Sequence, residues 1–464
     1  MRPLLLTFVG FAVWTLPMAV QIPPNDPRVG EIVSAISADS IRATVNALAG
    51  FGTRHTLSDT ADAARGIGAA RRWIKQTFER YAGQSEGRMK VEYHRTIVQP
   101  SGRIPRPAGI VNIIATLSPG TAERAGGATD PDGRSGPGLP DRVIVVSGHY
   151  DSRASDVMDS TSDAPGANDD GSGTAVVLEL ARVLSGYRFH STVIFACFAG
   201  EEQGLLGSTA WAADARERGL NIHAVLNNDI VGNIRGTDGR IESTYVRVFS
   251  EALTPLDTGE TLRRRISLGL ENDGASRSLA RYIADLSGGY VPAFRVEMIY
   301  RRDRFLRGGD QTPFHRAGYP AVRLSEAVEN YDRQHQDVRS ADGRDFGDQP
   351  YAMNFAYCAN VARVNAAVIA SLGFAPPPPD RVLIITDKLE NETRLTWTGV
   401  REPGVRGYAV RYRKTSAAEW EPPVFTVDTA MTVELSRDDY LFGVQTVGTM
   451  GSFSLPGISS SGRR

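Results

Sequence analysis

The sequence predicts an α/β fold with a mixed central sheet flanked by helices, followed by a small C-terminal all-β sandwich. Apolar β-branched runs alternate with helical patterns up to about residue 372, which is typical of α/β domains. Four consecutive prolines, Pro376 to Pro379, then interrupt the chain. Beyond them, short alternating segments separated by turn residues indicate strands without helices.

Residues 1–22 have the pattern of an export signal. Arg2 supplies the positive charge, and an almost uninterrupted apolar run extends from Leu4 to Leu16. The run is shorter than the roughly 20 apolar residues of a membrane span, so a cleaved signal is favoured over an anchor. We therefore expect an exported protein, secreted or periplasmic, with no stable membrane partner.

Composition excludes some classes of protein. The chain has 464 residues, of which 41% are hydrophobic and 23% charged, and its formal net charge is -1. A nucleic-acid partner would call for a basic face, which this balance does not suggest. The two cysteines, Cys197 and Cys358, do not make a disulfide framework and are predicted to be buried free thiols.

Residues 25–373 are predicted to form the main domain. Residues 27–83 show mostly helical spacing of apolar residues, and Val91 to Val98 and Ile110 to Leu117 have the pattern of strands. The Gly-, Pro-, Asp- and Arg-rich residues 118–141 are predicted to form a surface loop. The closing helix is predicted to begin at Pro350, because a proline is tolerated in a first helical turn.

Metal-type and acid/base side chains follow the apolar runs at the centre of this domain. The run VIVVSGH ends at His149, and GANDDGSG carries Asp169 into a predicted helix. FACFAGEE ends in Glu201 and Glu202, and Asp229 follows HAVLNN. In open α/β sheets, sites form at the carboxyl ends of the strands, so we expect these side chains to meet there.

Histidine and carboxylates are zinc ligands. Two zinc ions that act on one hydrolysis need a shared carboxylate, further ligands for each ion, and a free carboxylate as base. His335, in ENYDRQHQD, adds a second histidine to the candidate ligands. Each residue alone has a plainer explanation. His149 alone would fit a structural histidine, and GANDDGSG would fit an ordinary turn, although it lacks the Lys-Ser/Thr ending of a phosphate loop. The order of the whole set favours a metal site.

Six segments in order resemble the secreted di-zinc aminopeptidases and their carboxypeptidase, transferrin-receptor-like and glutaminyl-cyclase relatives. They are GHYDS, GANDDGSG, FAGEEQGLLGS, NNDIVG, GGDQTPFHRAGYPAVRLSE and RQHQD, spanning most of residues 110–340. The resemblance implies a fold of the zinc exopeptidase type. It also implies hydrolysis of the N-terminal bond of peptide substrates that have a free N-terminus.

The same resemblance implies roles for individual residues and a cofactor of two zinc ions. Five positions resemble the ligands: His149 and Asp229 for one ion, Glu202 and His335 for the other, and Asp169 as the bridge. Glu201 resembles the general base that activates the attacking water, and Asp151 the carboxylate that orients the first histidine. The family also implies a cis peptide bond between Asp169 and Asp170.

One position departs from the family pattern. Family members commonly have a tyrosine beside the last histidine, where it helps polarise the substrate carbonyl, whereas this chain has Gln334. Tyr331 and Tyr300 are candidate substitutes for contact with the substrate or oxyanion. Two alternative functions stay open: a glutaminyl cyclase with one zinc, and a metal-free, receptor-like binding protein.

Residues 374–379 are predicted to be a linker and residues 380–464 a β-sandwich. The sandwich resembles a fibronectin type III domain, with Trp397 and Tyr408 among its candidate core aromatics. Consecutive prolines favour a stiff, extended spacer. We therefore expect few contacts between the two domains and a sandwich that can be removed without loss of folding.

Overall fold

The computed structural model describes residues 26–120 and 142–462. The predicted export signal lies outside the described residues, as does most of the loop predicted over residues 118–141. The helices, in chain order, are α1 (Pro27–Ser34), α2 (Ala38–Ala49), α3 (Gly66–Ala82), α4 (Gly171–Leu184), α5 (Leu206–Glu217), α6 (Gly259–Ser267), α7 (Ala275–Tyr290), α8 (Gln311–Arg316) and α9 (Phe355–Phe374).

A mixed eight-stranded sheet forms the centre of the main domain, as predicted. Its strands are β1 (Met89–Val98), β2 (Ala108–Leu117), β3 (Arg142–His149), β4 (Thr192–Phe198), β5 (Asn221–Asn228), β6 (Tyr245–Ser250), β7 (Arg295–Ile299) and β8 (Ala321–Glu326). The strand order is β1-β2-β4-β3-β5-β8-β6-β7. The inner strands β4, β3, β5 and β8 are parallel, whereas β2 and β6 join them in antiparallel pairs.

Helices cover both faces of this sheet. In β3, Ile144 and Val146 belong to the larger core, which includes residues of α1, α2, α4, α7 and α9. Val143 and Val145 belong to the opposite core, with Trp211 of α5. Burial on both faces explains why the inner strands are almost continuously apolar in sequence. Their parallel directions bring their carboxyl ends to one edge.

The closing helix begins later than predicted. Pro350 starts a separate 3-10 turn, Pro350–Ala352, and α9 begins at Phe355. The side chain of Asn354 caps α9 by accepting a hydrogen bond from the Tyr357 amide. Among the described helices, α9 is long and apolar enough to cross a membrane, but 78% of its most apolar window is buried inside the protein. It packs as a core helix.

The C-terminal region forms a sandwich of two four-stranded sheets, as predicted. After a short hairpin of β9 (Arg339–Ala341) and β10 (Arg344–Phe346), its strands are β11 (Asp380–Ile385), β12 (Thr393–Thr398), β13 (Val405–Lys414), β14 (Val424–Thr426), β15 (Ala430–Val433), β16 (Tyr440–Gly448), β17 (Gly457–Ile458) and β18 (Ser460–Gly462). The sheet orders are β15-β12-β11-β18 and β14-β13-β16-β17. Trp397 and Tyr408 meet in the core, with ring centroids 5.4 Å apart. Kinship with fibronectin type III domains stays a prediction.

The expectation of few contacts between the domains is wrong. Ala409, Val447 and Phe453 of the sandwich belong to the same buried cluster as the helices of the main domain. The Tyr282 hydroxyl of α7 donates a hydrogen bond to the Phe453 carbonyl, at 2.8 Å. Strands β13 and β16 are buried on both faces over most of their length, and the sequence pattern does not show which second surface covers them. That surface is the main domain.

Both cysteines agree with the prediction. Cys197 in β4 and Cys358 in α9 are buried and free. Burial raises the pKa of both thiols well above the usual range, so both stay protonated near neutral pH. Packing and hydrogen bonding, rather than a disulfide, therefore hold the described part of the chain together.

Candidate metal centre and active site

The carboxyl edge of the central sheet gathers the metal-type and acid/base side chains. Two groups of three, with ligand atoms within 4.8 Å of one another in each group, comprise His149, Glu201 and Asp229, and Asp169, Glu202 and His335. Strands β3, β4 and β5 each end at or just before one of these residues. The edge on which the sequence placed the site is therefore where the structure assembles it.

Asp169 lies between the two histidines. Its Oδ1 is 3.3 Å from Nε2 of His149, and its Oδ2 is 2.9 Å from Nε2 of His335. On the first side, His149 Nε2 also lies 3.9 Å from Oδ2 of Asp229. On the second side, His335 Nε2 is 3.2 Å from Oε1 of Glu202. One carboxylate thus faces two separate sets of ligand-type atoms.

The residues present fit two divalent cations. His149 Nε2 and Glu202 Oε1 are buried and make no hydrogen bond within the described part of the chain, although both approach other ligand-type atoms. Buried polar atoms normally have partners. An imidazole nitrogen surrounded by carboxylate oxygens is a donor set that suits zinc. The assignment of each ligand to its ion stays a prediction.

The electrostatics of the site follow from its burial. Burial raises the pKa of Glu201 well above its usual range, and the neighbouring carboxylates of Asp229 and Glu202 add to this effect against His149. Burial disfavours a charged His335, but Glu202 and Asp169 outweigh it and raise its pKa to about 10. The carboxylates around His335 therefore favour a positive charge at this position.

Asp151 contacts both His149 and the turn that carries the two glutamates. Nδ1 of His149 lies 3.1 Å from the backbone carbonyl of Asp151 and 3.5 Å from its carboxylate. The carboxylate also accepts the backbone amides of Glu201 and Glu202, at 3.3 and 3.2 Å. It also accepts the Thr56 hydroxyl, at 2.9 Å. Asp151 thus positions the turn that carries the two glutamates as well as the histidine.

Thr56 belongs to a segment that sequence reasoning left outside the site. Its hydroxyl lies 2.6 Å from Oε1 of Gln203, and Gln203 Nε2 lies 2.9 Å from His55 Nε2. His55 is fully buried, and through Gln203 it supports the glutamate turn. In the sequence, the feature that could have indicated this role was the polar run FGTRHT between two predicted helices.

Arg323 is a second residue that sequence reasoning missed. This fully buried arginine in β8 contacts Oδ1 of Asp229 through Nη2, at 2.7 Å. Its Nη1 lies 3.0 Å from Oδ2 of Asp303, in the loop after β7. The pair leaves Oδ2 of Asp229 directed towards His149. A charged residue inside the short apolar run Ala321 to Leu324 was the signal that could have shown it.

The turn before α4 is held by hydrogen bonds from backbone amides to the side chain of Asp170. Asp170 caps the helix by accepting the Gly173 amide at 2.9 Å, and it also accepts the amides of His149 and Ile230. The peptide bond between Asp169 and Asp170 is cis, as the family resemblance implied. The side chain of Asp170 therefore connects the end of β3, the start of α4 and the segment after β5.

Gln334, which stands where the family commonly has a tyrosine, contacts the shared aspartate. Its Nε2 donates a hydrogen bond to Oδ2 of Asp169, at 3.0 Å. Tyr331 is exposed, and its ring faces Arg307, 5.9 Å away. Tyr300 lies after β7, where Arg277 of α7 stacks 3.7 Å from its ring centroid.

Comparison with known sequences identifies the chain's relatives. The sequence profile of peptidase family M28 matches residues 132–347, which include Glu201 and the five predicted metal ligands. A probable zinc metalloprotease of Leptosphaeria maculans is 43% identical over 427 residues, covering 92% of this chain and 95% of that protein. Another, of Pyricularia oryzae, is 42% identical over 92% of this chain and 86% of its own length.

Solved structures share the fold at lower sequence identity. LapB from Legionella pneumophila has a TM-score of 0.51 at 19% identity, covering 76% of this chain and 77% of its own. The LapA aminopeptidase of the same organism has a TM-score of 0.50 at 18% identity, covering 77% and 78%. The probable zinc metalloproteases match this chain over most of its length and of their own, and they therefore establish the family. This chain belongs to peptidase family M28.

Proposed function

We propose that this chain is an exported di-zinc aminopeptidase that hydrolyses the first peptide bond of peptides with a free N-terminus. The observation that carries the proposal is the placement of Asp169 between the two histidines, with one oxygen directed to each. A single-zinc site would leave one of these two sets without a cation. The description of LapA, which shares the fold, as an aminopeptidase is consistent with this choice of peptidase.

His149 and Asp229 would hold one ion, Glu202 and His335 would hold the other, and Asp169 would be shared by both. When bound, such a pair of ions polarises the scissile carbonyl and stabilises the negative charge that develops on its oxygen. The residues of the chain must then orient the substrate and transfer the proton.

Glu201 is the residue placed to transfer that proton. Its carboxylate lies within 4.8 Å of the ligand-type atoms of His149 and Asp229 and stays partly exposed, so an attacking water can reach it. It takes a proton from this water and returns it to the leaving amine, since an acid must complete the cleavage that the base began.

The substitution Glu201→Gln tests this assignment. The variant keeps the shape of the side chain but removes the base, so hydrolysis of aminoacyl chromogenic substrates should fall about 10²–10⁴-fold. Two zinc ions per chain should remain, measured by elemental analysis. Glu217→Gln, on the exposed face of α5, is the matched control and should keep full activity. Full peptidase activity in Glu201→Gln would reject the mechanism.

Substrate and metal measurements separate the alternatives. An aminopeptidase cleaves a peptide with a free N-terminus and leaves its N-acetylated form intact, whereas a carboxypeptidase cleaves both. One zinc per chain with cyclisation of N-terminal glutamine would favour the cyclase. An absence of both metal and turnover would favour a binding protein.

Export is supported by the sequence pattern of residues 1–22 alone. The mature chain should begin between roughly residues 20 and 25, given the usual length of signals. N-terminal sequencing of the protein recovered outside the cytoplasm measures this directly. An intact Met1 would indicate an anchor.

A further inference from the structure

The sandwich docks on α7 through a buried cluster of charges. Asp273, just before α7, receives Nη2 of Arg413 at 2.6 Å and Nη1 of Arg281 at 2.9 Å. Arg413 belongs to β13 of the sandwich and Arg281 to α7. All three side chains are at most 3% exposed. Breaking such a pair leaves an uncompensated buried charge, so the position of α7 depends on the sandwich.

This cluster continues to the end of β7. Arg277, one helical turn before Arg281 on α7, stacks its guanidinium on the Tyr300 ring, 3.7 Å from the ring centroid. Arginine over an aromatic ring is an attractive contact with a defined geometry. Tyr300 is therefore held by the helix on which the sandwich packs.

Three residues after Tyr300, the chain reaches the candidate metal centre. Asp303 contacts Nη1 of Arg323 at 3.0 Å, and Nη2 of Arg323 contacts Asp229 at 2.7 Å. Asp229 is one of the two predicted ligands of the first zinc. Two sets of ion pairs, connected through α7, one stacked ring and the three residues of backbone after Tyr300, thus link the sandwich to a predicted zinc ligand.

The loop of residues 300–310 needs such anchors. At its tip, Phe305 is 74% and Leu306 is 90% exposed, so burial of these two apolar side chains does not hold it. Segments with few buried apolar contacts open at low free-energy cost. The loop is instead held by Tyr300 at one end and by charged contacts of Asp303 and Arg304.

We propose that the C-terminal sandwich positions the 300–310 loop through Asp273 and Tyr300, and thereby sets the placement of Asp229 at the first zinc. Tyr300 is in this account a positioning residue rather than a contact of the oxyanion. The inference rests on the proposed function only in taking Asp229 as a zinc ligand. The sandwich accordingly influences metal binding without touching the metal centre.

The full chain offers a matched pair of variants. Arg413→Ala breaks the contact with Asp273, whereas Arg411→Ala breaks another ion pair between β13 and α7, in which Nη2 of Arg411 lies 2.8 Å from both oxygens of Asp285. Both variants remove an arginine of β13; the partner of Arg413 lies just before α7, and the partner of Arg411 lies within α7. Only the first lies on the path to Tyr300.

Zinc affinity, measured by competition with a chelating indicator, is the decisive readout. Arg413→Ala should bind one of its two zinc ions roughly 2- to 30-fold less tightly than Arg411→Ala does, the range of mutations that act through a contact network. In the metal-free protein, amides of residues 300–310 should exchange hydrogen faster in Arg413→Ala only. Arg413→Lys, which keeps the charge, should restore part of the affinity.

A double variant closes the test. Because both changes cut one path, Arg413→Ala combined with Tyr300→Ala should bind zinc no more weakly than the worse single variant. Equal zinc affinity and equal loop exchange in Arg413→Ala and Arg411→Ala would overturn the proposal, as would additive losses in the double variant. A wild-type protein that binds zinc but hydrolyses no peptide would refute the proposed function while leaving these measurements decisive.

Discussion

The sheet edge and the face of α7 each bury a cluster of charged side chains, but their charges are balanced in different ways. On α7, Asp273 has one guanidinium at each oxygen, from Arg281 and Arg413. At the sheet edge carboxylates are in excess, and His149 Nε2 and Glu202 Oε1 have no hydrogen bond within the described residues. A carboxylate that lies between arginines of two packed segments can join those segments, as Asp273 does. An excess of buried carboxylates, as at the sheet edge, instead requires a bound cation.

Removal of the shared carboxylate should have the largest effect. Asp169→Ala should release both zinc ions, because each loses a common ligand, and hydrolysis should fall at least about 10³-fold, since the metal supplies several kcal/mol. Zinc per chain after dialysis and turnover of an aminoacyl substrate measure the two effects. Asp163→Ala, an exposed aspartate, is the control. Two retained zinc ions would remove the bridging role.

Loss of the Asp273 carboxylate, just before α7, should reduce the stability of the fold. Asp273→Asn leaves two buried arginines without their carboxylate, which should cost about 3–5 kcal/mol in the free energy of unfolding. Asp285→Asn breaks a partly exposed pair with Arg411 and should cost at most about 1 kcal/mol. Urea unfolding of the full chain gives both values. Equal losses in the two variants would contradict the assigned difference between these contacts.

Substitution of Asp151, beside the metal centre, should weaken zinc binding without abolishing it. The carboxylate of Asp151 accepts two backbone amides of the glutamate turn, one at each oxygen, whereas an asparagine has one carbonyl oxygen and can accept only one of them. Asp151→Asn should therefore lower zinc affinity about 10- to 100-fold, as outer-shell substitutions do. Asp156→Asn, at an exposed position, serves as the control in the same titration. Unchanged affinity would show that Asp151 does not support the ligands.

His223 provides a buried group with neither a metal nor an ionic partner. Both of its ring nitrogens are buried without a hydrogen bond among the described residues, and burial, with a smaller effect of Arg142, lowers its pKa to about 3. The unfolded chain protonates it near 6.5, so its neutral form contributes full stability above that pH and less as pH falls towards 3.

The effect of His223 should be the smallest of the four. Between pH 7.5 and 5.5 the wild type should lose about 1.4 kcal/mol more unfolding free energy than His223→Gln. Urea unfolding at the two pH values measures the difference. A wild type and a variant with the same pH dependence would show that the histidine is not held neutral.

The position of the candidate site was predictable because its signals are local. His149 and Glu201 each follow an apolar run, and strands buried on both faces carry such runs whatever surrounds them. Parallel neighbours then place the run ends at one edge. The spacing of the ligand-type residues along the chain therefore predicted which residues would meet.

The partners of those residues were decided by the tertiary structure. Arg323 lies 94 residues beyond Asp229 in the chain, and the carboxylate of Asp151 is met by a hydroxyl 95 residues away. The docking of β13 on α7 was likewise absent from the pattern, which shows that a strand is buried but not what buries it. Periodicity depends on neighbours along the chain, whereas a buried charge takes its partner from any segment that the fold brings within reach.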